Sequence, residues 1–516
     1  MVTPDIKNMT PERIMRKPAF KRLLPAENLP ANGSGLRVCA PGLQVQYDDI
    51  PHSYEVVTPL DCMREYDMTA HKILSKSYYP NPITRDEDGK FYERQLARVT
   101  VDLIQMFHTQ RTSLLVGSST DIRMVNRQAS AKEKELLSLF REGWEIKNIE
   151  QARYELISRA GKTMDSAIVG YIANGKFGWR AMSYESGDTL YEHVDPMTGE
   201  TALFGRSYSM PNEDGEKTTR YLDVWDNLNY IRYKHDPDRA GRGKDDSDWV
   251  VDIEAKPHGF DFCPVAYIRY GETFWGNAIL PVDEMEKDLS QLLENNKIYG
   301  LRVLVALGSE MSVKASFDGR PLQINGPADG KVNYLEPADA SNSFSLSIKN
   351  LEEQAYIAAN CVKQTELHSG ADISSLTVSM LNQPAYRKAI LDTYKFQPAI
   401  DKIVRIFQYG WFLETNHASD NATFHVKART YPYVMRSETE EVANVTALKA
   451  SGSLSGRSSS EEAYNLGYGS VDEYERIMQE AHDELVMQSQ AQAEKAGEAG
   501  GNNNNPVNAA RKILAE

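Results

Sequence analysis

The hydrophobic period of this chain switches repeatedly, and the order of the switches leaves few folds open. Over YERQLARVTVDLIQMFHTQRTSLLVG (92–117) and SAKEKELLSLFREGWEIKNIEQARYELISRAGKTMDSAIVGYIA (130–173), apolar residues recur every three or four positions. That spacing predicts amphipathic helices. The period then shortens: GKFGWRAMSY, RYLDVWDNLNYIRYKH, WVVDIEA and CPVAYIRYG are short, aromatic and β-branched, with DPMTGE, NEDGE and DPDRAGRGKDD between them. Such side chains suit a pleated surface and the Asp, Pro and Gly clusters suit turns, so an antiparallel sheet with mobile hairpin loops is expected.

Helical spacing returns at 277–300, with Pro281 in the first turn and Val282, Met285, Leu289, Leu292 and Leu293 on one stripe. LRVLVALG, SVKASF, PLQING and KVNYLEP (301–337) then read as four short strands around Gly-containing turns. A second helix is expected from Ser345 to Glu366, with Leu351, Ala355, Ala358, Ala359 and Val362 on one face. It stops at LHSGADISSLTV (367–378), a run of small and hydroxyl-bearing residues with no evident ligand or catalytic group. Beyond it, 378–415 is a long helical pattern containing Pro384 and Pro398. An interior proline removes a backbone donor and crowds the preceding turn, so a kink or interruption is expected.

The two ends differ in character. Residues 1–60 are rich in Pro, Gly and Asn without a sustained period, which suits an extended arm on a neighbour or on the domain surface. Its basic residues Lys7, Arg13, Arg16, Lys17, Lys21 and Arg22 read as a solvated tail, with contact to an acidic partner as the alternative. After the strand-like ATFHVKARTYPYV, residues 437–496 are helical and acidic, with Lys449, Arg457, Arg476 and Lys495 against twelve Asp and Glu. KAGEAGGNNNNPVNAA is low-complexity and reads as a flexible tail.

Composition narrows the function classes. With 516 residues, 41% of them hydrophobic, the chain can build real cores in several domains. Its 73 acidic and 58 basic residues give a formal charge of −15, which argues against wrapping nucleic acid on a basic surface. Cys39, Cys62, Cys263 and Cys361 lie far apart with no metal spacing, so buried or idle thiols are expected, without disulfides. The basic N-terminus lacks an apolar signal core and no window is apolar enough to span a membrane. GRGKDD and DGEKTT lack the spacing of a phosphate loop, and neither zinc-hydrolase nor nucleophile-elbow motifs occur. DEMEKD (283–288) reads as a solvated helix face rather than a Mg²⁺ site. The balance favours a binding or structural role, although an active site assembled from dispersed residues stays open.

From Gly259 onward the order of elements resembles tailed-bacteriophage portal proteins, the head-to-tail connectors through which DNA is packaged and ejected. HGFDFCPVAYIRYGETFWGNAILPVDEMEKDLSQLLENN (258–296) is similar to the family's passage from a strand into a long stem helix. LRVLVALG and GKVNYLEP sit where the family has a small β-containing clip. SFSLSIKNLEEQAYIAANCVKQTELHSGADISSLTVSMLNQPAYRKAILDTYKFQPAIDKIV (343–404) is similar to a second stem helix, a Ser-Gly break and a long inner helix. ALKASGSLSGRSSSEEAYNLGYGSVDEYERIMQEAHDE (447–484) looks like the helical crown.

The resemblance implies an α+β, portal-type fold with a mixed α/β wing, paired stem helices, a small β-containing clip and a helical crown. In this numbering it implies an arm (1–60), a wing (61–276), a first stem helix (277–300), a clip (301–342) and a second stem helix (343–367). A tunnel loop (368–377), an inner wing helix and strand (378–436), a crown (437–490) and a flexible tail (491–516) follow. The tunnel loop would comprise His368, Ser369, Gly370, Ala371, Asp372, Ile373, Ser374, Ser375, Leu376 and Thr377. Hydroxyls and glycine there can offer weak hydrogen bonds to sliding DNA, and Asp372 repels phosphate, so the bore avoids a strong ionic grip.

Arg302, Lys314, Arg320 and Lys331 in the clip could meet an acidic partner surface. The implied assembly is a homo-oligomeric ring of about twelve subunits with a heterologous, closing interface. Its implied partners are transient double-stranded DNA, the terminase large subunit, major capsid protein and scaffold, and head-tail adaptors. No catalytic residue, metal, cofactor or membrane contact is expected, and the implied location is the virion, with the host cytoplasm during assembly. The alternatives are another ring-forming connector or baseplate protein, and a cytosolic enzyme with a dispersed site.

Overall fold

The computed structural model describes residues 9–23, 54–85, 90–126, 130–211, 218–236, 248–299, 303–307, 312–315, 321–325, 331–335, 341–363, 380, 382–433, 438–465 and 473–499. They fall into two compact units, Met1–Ser369 with Leu381–Tyr433 and Gly370–Met380 with Val434–Glu516. The fold is α+β.

The first unit opens with a helical turn α1 (Pro11–Ile14) and a strand β1 (Phe20–Leu23) that pairs antiparallel with β2 (Tyr54–Val57). Helix α2 (Pro59–Tyr66) begins at a reciprocal Thr58–Asp61 capping box with Pro59 in its first turn, which satisfies two otherwise orphaned N–H groups. A hairpin of β3 (Ile83–Arg85) and β4 (Phe91–Glu93) precedes an irregular segment and helix α3 (Leu103–Val116). After β5 (Asp121–Met124) come α4 (Ala131–Ile146), opened by a Ser130–Glu133 capping box, and α5 (Ile149–Thr163).

Two expectations fail in this stretch. Residues 94–102 are not helical: 94–101 have no regular secondary structure and Asp102 lies in a turn before α3. Residues 165–173 form a strand, β6 (Asp165–Ala173), after Met164 ends α5 with φ of 69°. Residues 165–170 are all buried, so the polar–apolar alternation that marks a one-sided strand is missing and its apolar run imitates a helix.

β6 is the centre of a three-stranded antiparallel sheet ordered β13-β6-β7, with β7 at Lys176–Met182 and β13 at Val265–Arg269. A separate five-stranded meander is ordered β12-β11-β10-β9-β8. Its strands are β8 (Thr189–Val194), β9 (Thr201–Pro211), β10 (Thr218–Trp225), β11 (Asn229–His235) and β12 (Trp249–Pro257). The expected single sheet is therefore two, which pack through Ala167, Val169, Met182 and Val265 of the first against Leu190 and Phe204 of the second.

Helix α6 (Ile279–Tyr299) follows, with Pro281 in its first turn. Four short strands come next. β14 (Val303–Leu307) pairs antiparallel with β17 (Lys331–Leu335), and β15 (Ser312–Ala315) pairs with β16 (Pro321–Asn325). Helix α7 (Ser341–Ala359) is shorter than expected at its C-terminus. Asn360 takes φ of 54° and the Cys361 N–H bonds the Tyr356 carbonyl, a left-handed C-terminal cap that stops the helix before Glu366.

Helix α8 (Gln383–Glu414) is continuous over 32 residues. Pro384 lies in its first turn, where no N–H is required, and only Pro398 is interior. Pro398 is exposed, and so is Tyr394, whose carbonyl loses its helical donor. Water can take that bond, so the helix runs through without interruption. Strand β18 (Val426–Arg429) pairs with β5. The main core gathers α4, α5, β6, β13 and α8 around Phe140, Leu156, Ile168, Phe274, Phe396 and Phe407. Gly143 and Gly161 permit that packing, since a Cβ at either would stand 2.4 Å from the ring of Trp411 or Phe274.

The described part of the N-terminal arm lies on this same unit. Ile14 is buried with Tyr191, Leu203 and Trp249. Lys17 pairs with the buried Asp165, and Arg22 forks onto Glu65 at 2.7 and 3.0 Å. Those two cations are therefore structural, not a solvated tail. The second unit's described helices are α9 (Glu438–Ala450), α10 (Gly456–Asn465) and α11 (Glu473–Ala499).

Candidate functional site

The most elaborate polar construction sits at the root of α6. Helix α6 and the irregular segment 94–101 run side by side, and side chains of the helix accept hydrogen bonds from alternate amides of the segment. Glu286 Oε1 accepts the Val101 N–H at 2.8 Å, Ser290 Oγ accepts Val99 N–H at 3.0 Å, and Glu294 Oε2 accepts Ala97 N–H at 3.3 Å. Four helical residues rise about 6 Å, and two residues of non-helical chain can span up to about 6.6 Å, so the repeats can match. Arg94 adds an ion pair to Glu294 at 2.9 Å.

This ladder also explains why 94–102 is not a helix. Alternate N–H groups of the segment already have partners on α6, which offsets the local bonds a helix would form.

The same helix root holds a buried ionic cluster. His71 Nδ1 lies 2.6 Å from Glu286 Oε1, and its Nε2 lies 3.0 Å from the Glu65 carbonyl. Both partners are acceptors, an arrangement that favours the doubly protonated ring, in which both nitrogens donate. Burial opposes that charge, but the hydrogen bond and charge of Glu286 outweigh it and raise the His71 pKa. Asp283 pairs with Lys72 at 3.1 Å; burial still pushes its carboxyl up to about 6. Glu65 holds the Arg22 fork and accepts Trp275 Nε1–H at 2.8 Å. DEMEKD is thus no simple solvated face, because Asp283 and Glu286 are buried while Glu284 is exposed.

A second buried cluster joins α8 to the approach to α6. Arg111 donates through Nε to Asp392 Oδ2 at 2.9 Å and through Nη1 to the Phe274 carbonyl at 2.9 Å. The Tyr270 hydroxyl donates to Asp392 Oδ1 at 2.7 Å. Lys388 and Lys395 both reach Glu272, at 3.0 and 2.9 Å, and hold its carboxyl down at about 2 against the effect of burial. Gln110 on α3 then clamps the exit from α7: its Oε1 accepts the Val362 N–H and its Nε2 donates to the Val362 carbonyl, each at 3.1 Å.

The expected tunnel-loop residues, His368 to Thr377, lie outside the described residues, as do Arg302 and Arg320. Lys314 is on β15 opposite Gln323, and Lys331 starts β17 opposite Leu307. The described residues on either side of that stretch include Val362, held by Gln110 after α7, and the first turn of α8. Sequence reasoning passed over His71, Gln110, Glu286, Ser290 and Glu294. The one signal available was a polar residue at every fourth position of α6, beside its apolar stripe.

Other expectations concern absent chemistry. Cys62, Cys263 and Cys361 are free thiols, and burial pushes Cys263 and Cys361 up to about 12. Among the described residues, no helix is long and apolar enough to cross a membrane and no three His, Cys, Asp or Glu side chains are grouped to hold a metal ion.

The polar clusters described above tie long helices into an α+β body. Residues 53–485 match the family model described as phage portal protein, SPP1 Gp6-like. The chain belongs to that family, whose members are structural components of the virion. Among solved structures, the chain is similar to one from the neck of an empty GTA particle computed with C6 symmetry. The two are 12% identical with a TM-score of 0.38, over 71% of this chain and 90% of that one. A chain from the virion of a native gene transfer agent particle is 13% identical with a TM-score of 0.36, over 73% and 96%. No curated protein matches.

Proposed function

We propose that this portal protein assembles into a closed ring of about twelve copies at one capsid vertex, around a channel for double-stranded DNA. The observation that carries this reading is the rooted helix pair. α6 and α7 pack on each other within the first unit and are joined by a segment of two strand pairs, and α7 and α8 carry exposed Leu346, Ile357, Leu391 and Tyr394. Large apolar side chains exposed on long helices suit contact with neighbouring copies.

In this reading residues 368–377 line the narrowest part of the bore and 301–342 form the clip. Lys314 and Lys331, with Arg302 and Arg320, face the terminase large subunit during packaging and adaptors afterwards. The wing meets major capsid protein and scaffold. ATP hydrolysis belongs to the motor, and this chain contributes no catalytic group. Assembly takes place in the host cytoplasm.

Light scattering and negative-stain imaging of the purified protein test the ring. A particle of about twelve subunit masses with a central hole is expected. A monomer that persists on concentration, with capsid and scaffold protein present, overturns it. Gly370→Pro and Ser374→Arg test the loop: each should assemble normally yet impair packaging or DNA retention. Normal packaging by both removes the loop assignment.

A further inference from the structure

A cleft of about 690 Å³ opens between the two sheets of the first unit, walled by β6 and β7 on one side and by β9 to β12 on the other. Its charge is opposite in sign to that of the chain, which carries −15 overall. Arg180, Arg206, Arg232 and Lys256 line it against one carboxylate, Asp223. Asp223 is fully engaged: Oδ1 accepts the Tyr230 hydroxyl and Arg232 Nε, each at 2.8 Å, and Oδ2 lies 3.5 Å from Arg206. Arg206 is held further by Asp188 at 2.7 Å.

Three cations are left open to a ligand. Arg232 is fixed through Nε, and its two terminal nitrogens bond no described residue. The exposed Arg180 feels the charge of Asp188, but its guanidinium makes no hydrogen bond or ion pair with a described residue. Lys256 is exposed and rests 5.5 Å over the Tyr230 ring, with no carboxylate beside it among the described residues. Trp179 and Trp225 supply apolar wall between these groups. A guanidinium fixed at one nitrogen presents a ready fork for a carboxylate, at little ordering cost.

We infer that this cleft is a docking site for a short acidic peptide segment of a partner protein, its carboxylates on Arg180, Arg232 and Lys256 and its apolar side chains on Trp179 and Trp225. The charge balance selects against nucleic acid. A long polyanion leaves the cleft for a surface that is negative overall, whereas a few carboxylates are neutralised within one Debye length of the cations. The inference stands apart from ring formation, since every residue it uses belongs to one wing.

Fluorescence anisotropy of labelled hexaglutamate with the full chain tests it. Binding that weakens about tenfold in Arg180→Glu and in Lys256→Glu, but not in Arg64→Glu on another face, is expected. Arg180→Gln carries the test if circular dichroism shows that a charge reversal disturbs the fold. Absence of hexaglutamate binding, or equal loss in Arg64→Glu, overturns the site. Tighter binding of an oligothymidylate through the same residues makes it a nucleic-acid surface and overturns the peptide.

Discussion

Glu286 has no exposure, shares Oε1 between the Val101 amide and His71, and has no hydrogen-bond partner for Oε2 among the described residues. A buried carboxylate of this kind persists because its partners are charged or fixed. Glu286→Gln should therefore cost about 2–4 kcal/mol in urea unfolding, because it leaves the His71 ring buried without its counter-charge. The pH dependence follows from the raised His71 pKa. Its contribution is complete below the ordinary value of 6.5 and is lost as pH rises through the folded value, so the penalty of Glu286→Gln should shrink in alkaline buffer. Asp283 behaves oppositely to a paired surface carboxylate. Folding raises its pKa from 3.8 to about 6, so its ionised form is a cost at neutral pH. Asp283→Asn should stabilise the protein by about 1–3 kcal/mol at pH 8, and thermal melts of the two should converge below about pH 4.

At the scale of elements, α6 is a helix whose side chains satisfy the amides of a neighbouring segment outside any sheet. Ser290 is the middle rung, accepting from Val99 while donating to the Glu286 carbonyl at 2.7 Å. Ser290→Ala should cost about 1–3 kcal/mol, the price of one buried unpaired amide. Hydrogen exchange should show the Val99 amide losing protection while those of β6 keep theirs; uniform loss would mean the rung is not local. Helix α8 makes a different point, since its interior proline stands on the exposed face, where a lost bond costs least. The residues around it, Phe396, Ile400 and Phe407, bury the opposite face.

For the whole molecule, the proposed ring gives the exposed apolar side chains of α7 and α8 a testable part in assembly. Ile357 is 68% exposed, so Ile357→Glu should leave the melting temperature and circular dichroism of the single subunit nearly unchanged. It should reduce ring formation, read as a shift from large particles to monomer in light scattering. Rings forming as readily as in wild type would free Ile357 from any role at the subunit interface.

Much of the architecture is legible in the chain because amphipathic period reports which face of an element is buried. Val282 and Met285 on α6, Ala355 and Ala359 on α7, and the four strands between them follow from spacing alone. The succession of these elements carries the family resemblance. What spacing could not report was burial from two sides or partnership at a distance. β6 is covered on both faces over its first six residues and so lost the alternation of a strand. Residues 97–101 stay non-helical because Glu286, Ser290 and Glu294, nearly two hundred positions away, hold alternate amides. His71 and Gln110 look ordinary until the fold sets them against Glu286 and Val362. Local period is a property of neighbours in sequence and is readable there; hydrogen-bond satisfaction and charge pairing in the interior depend on neighbours in space, which only the tertiary structure assigns.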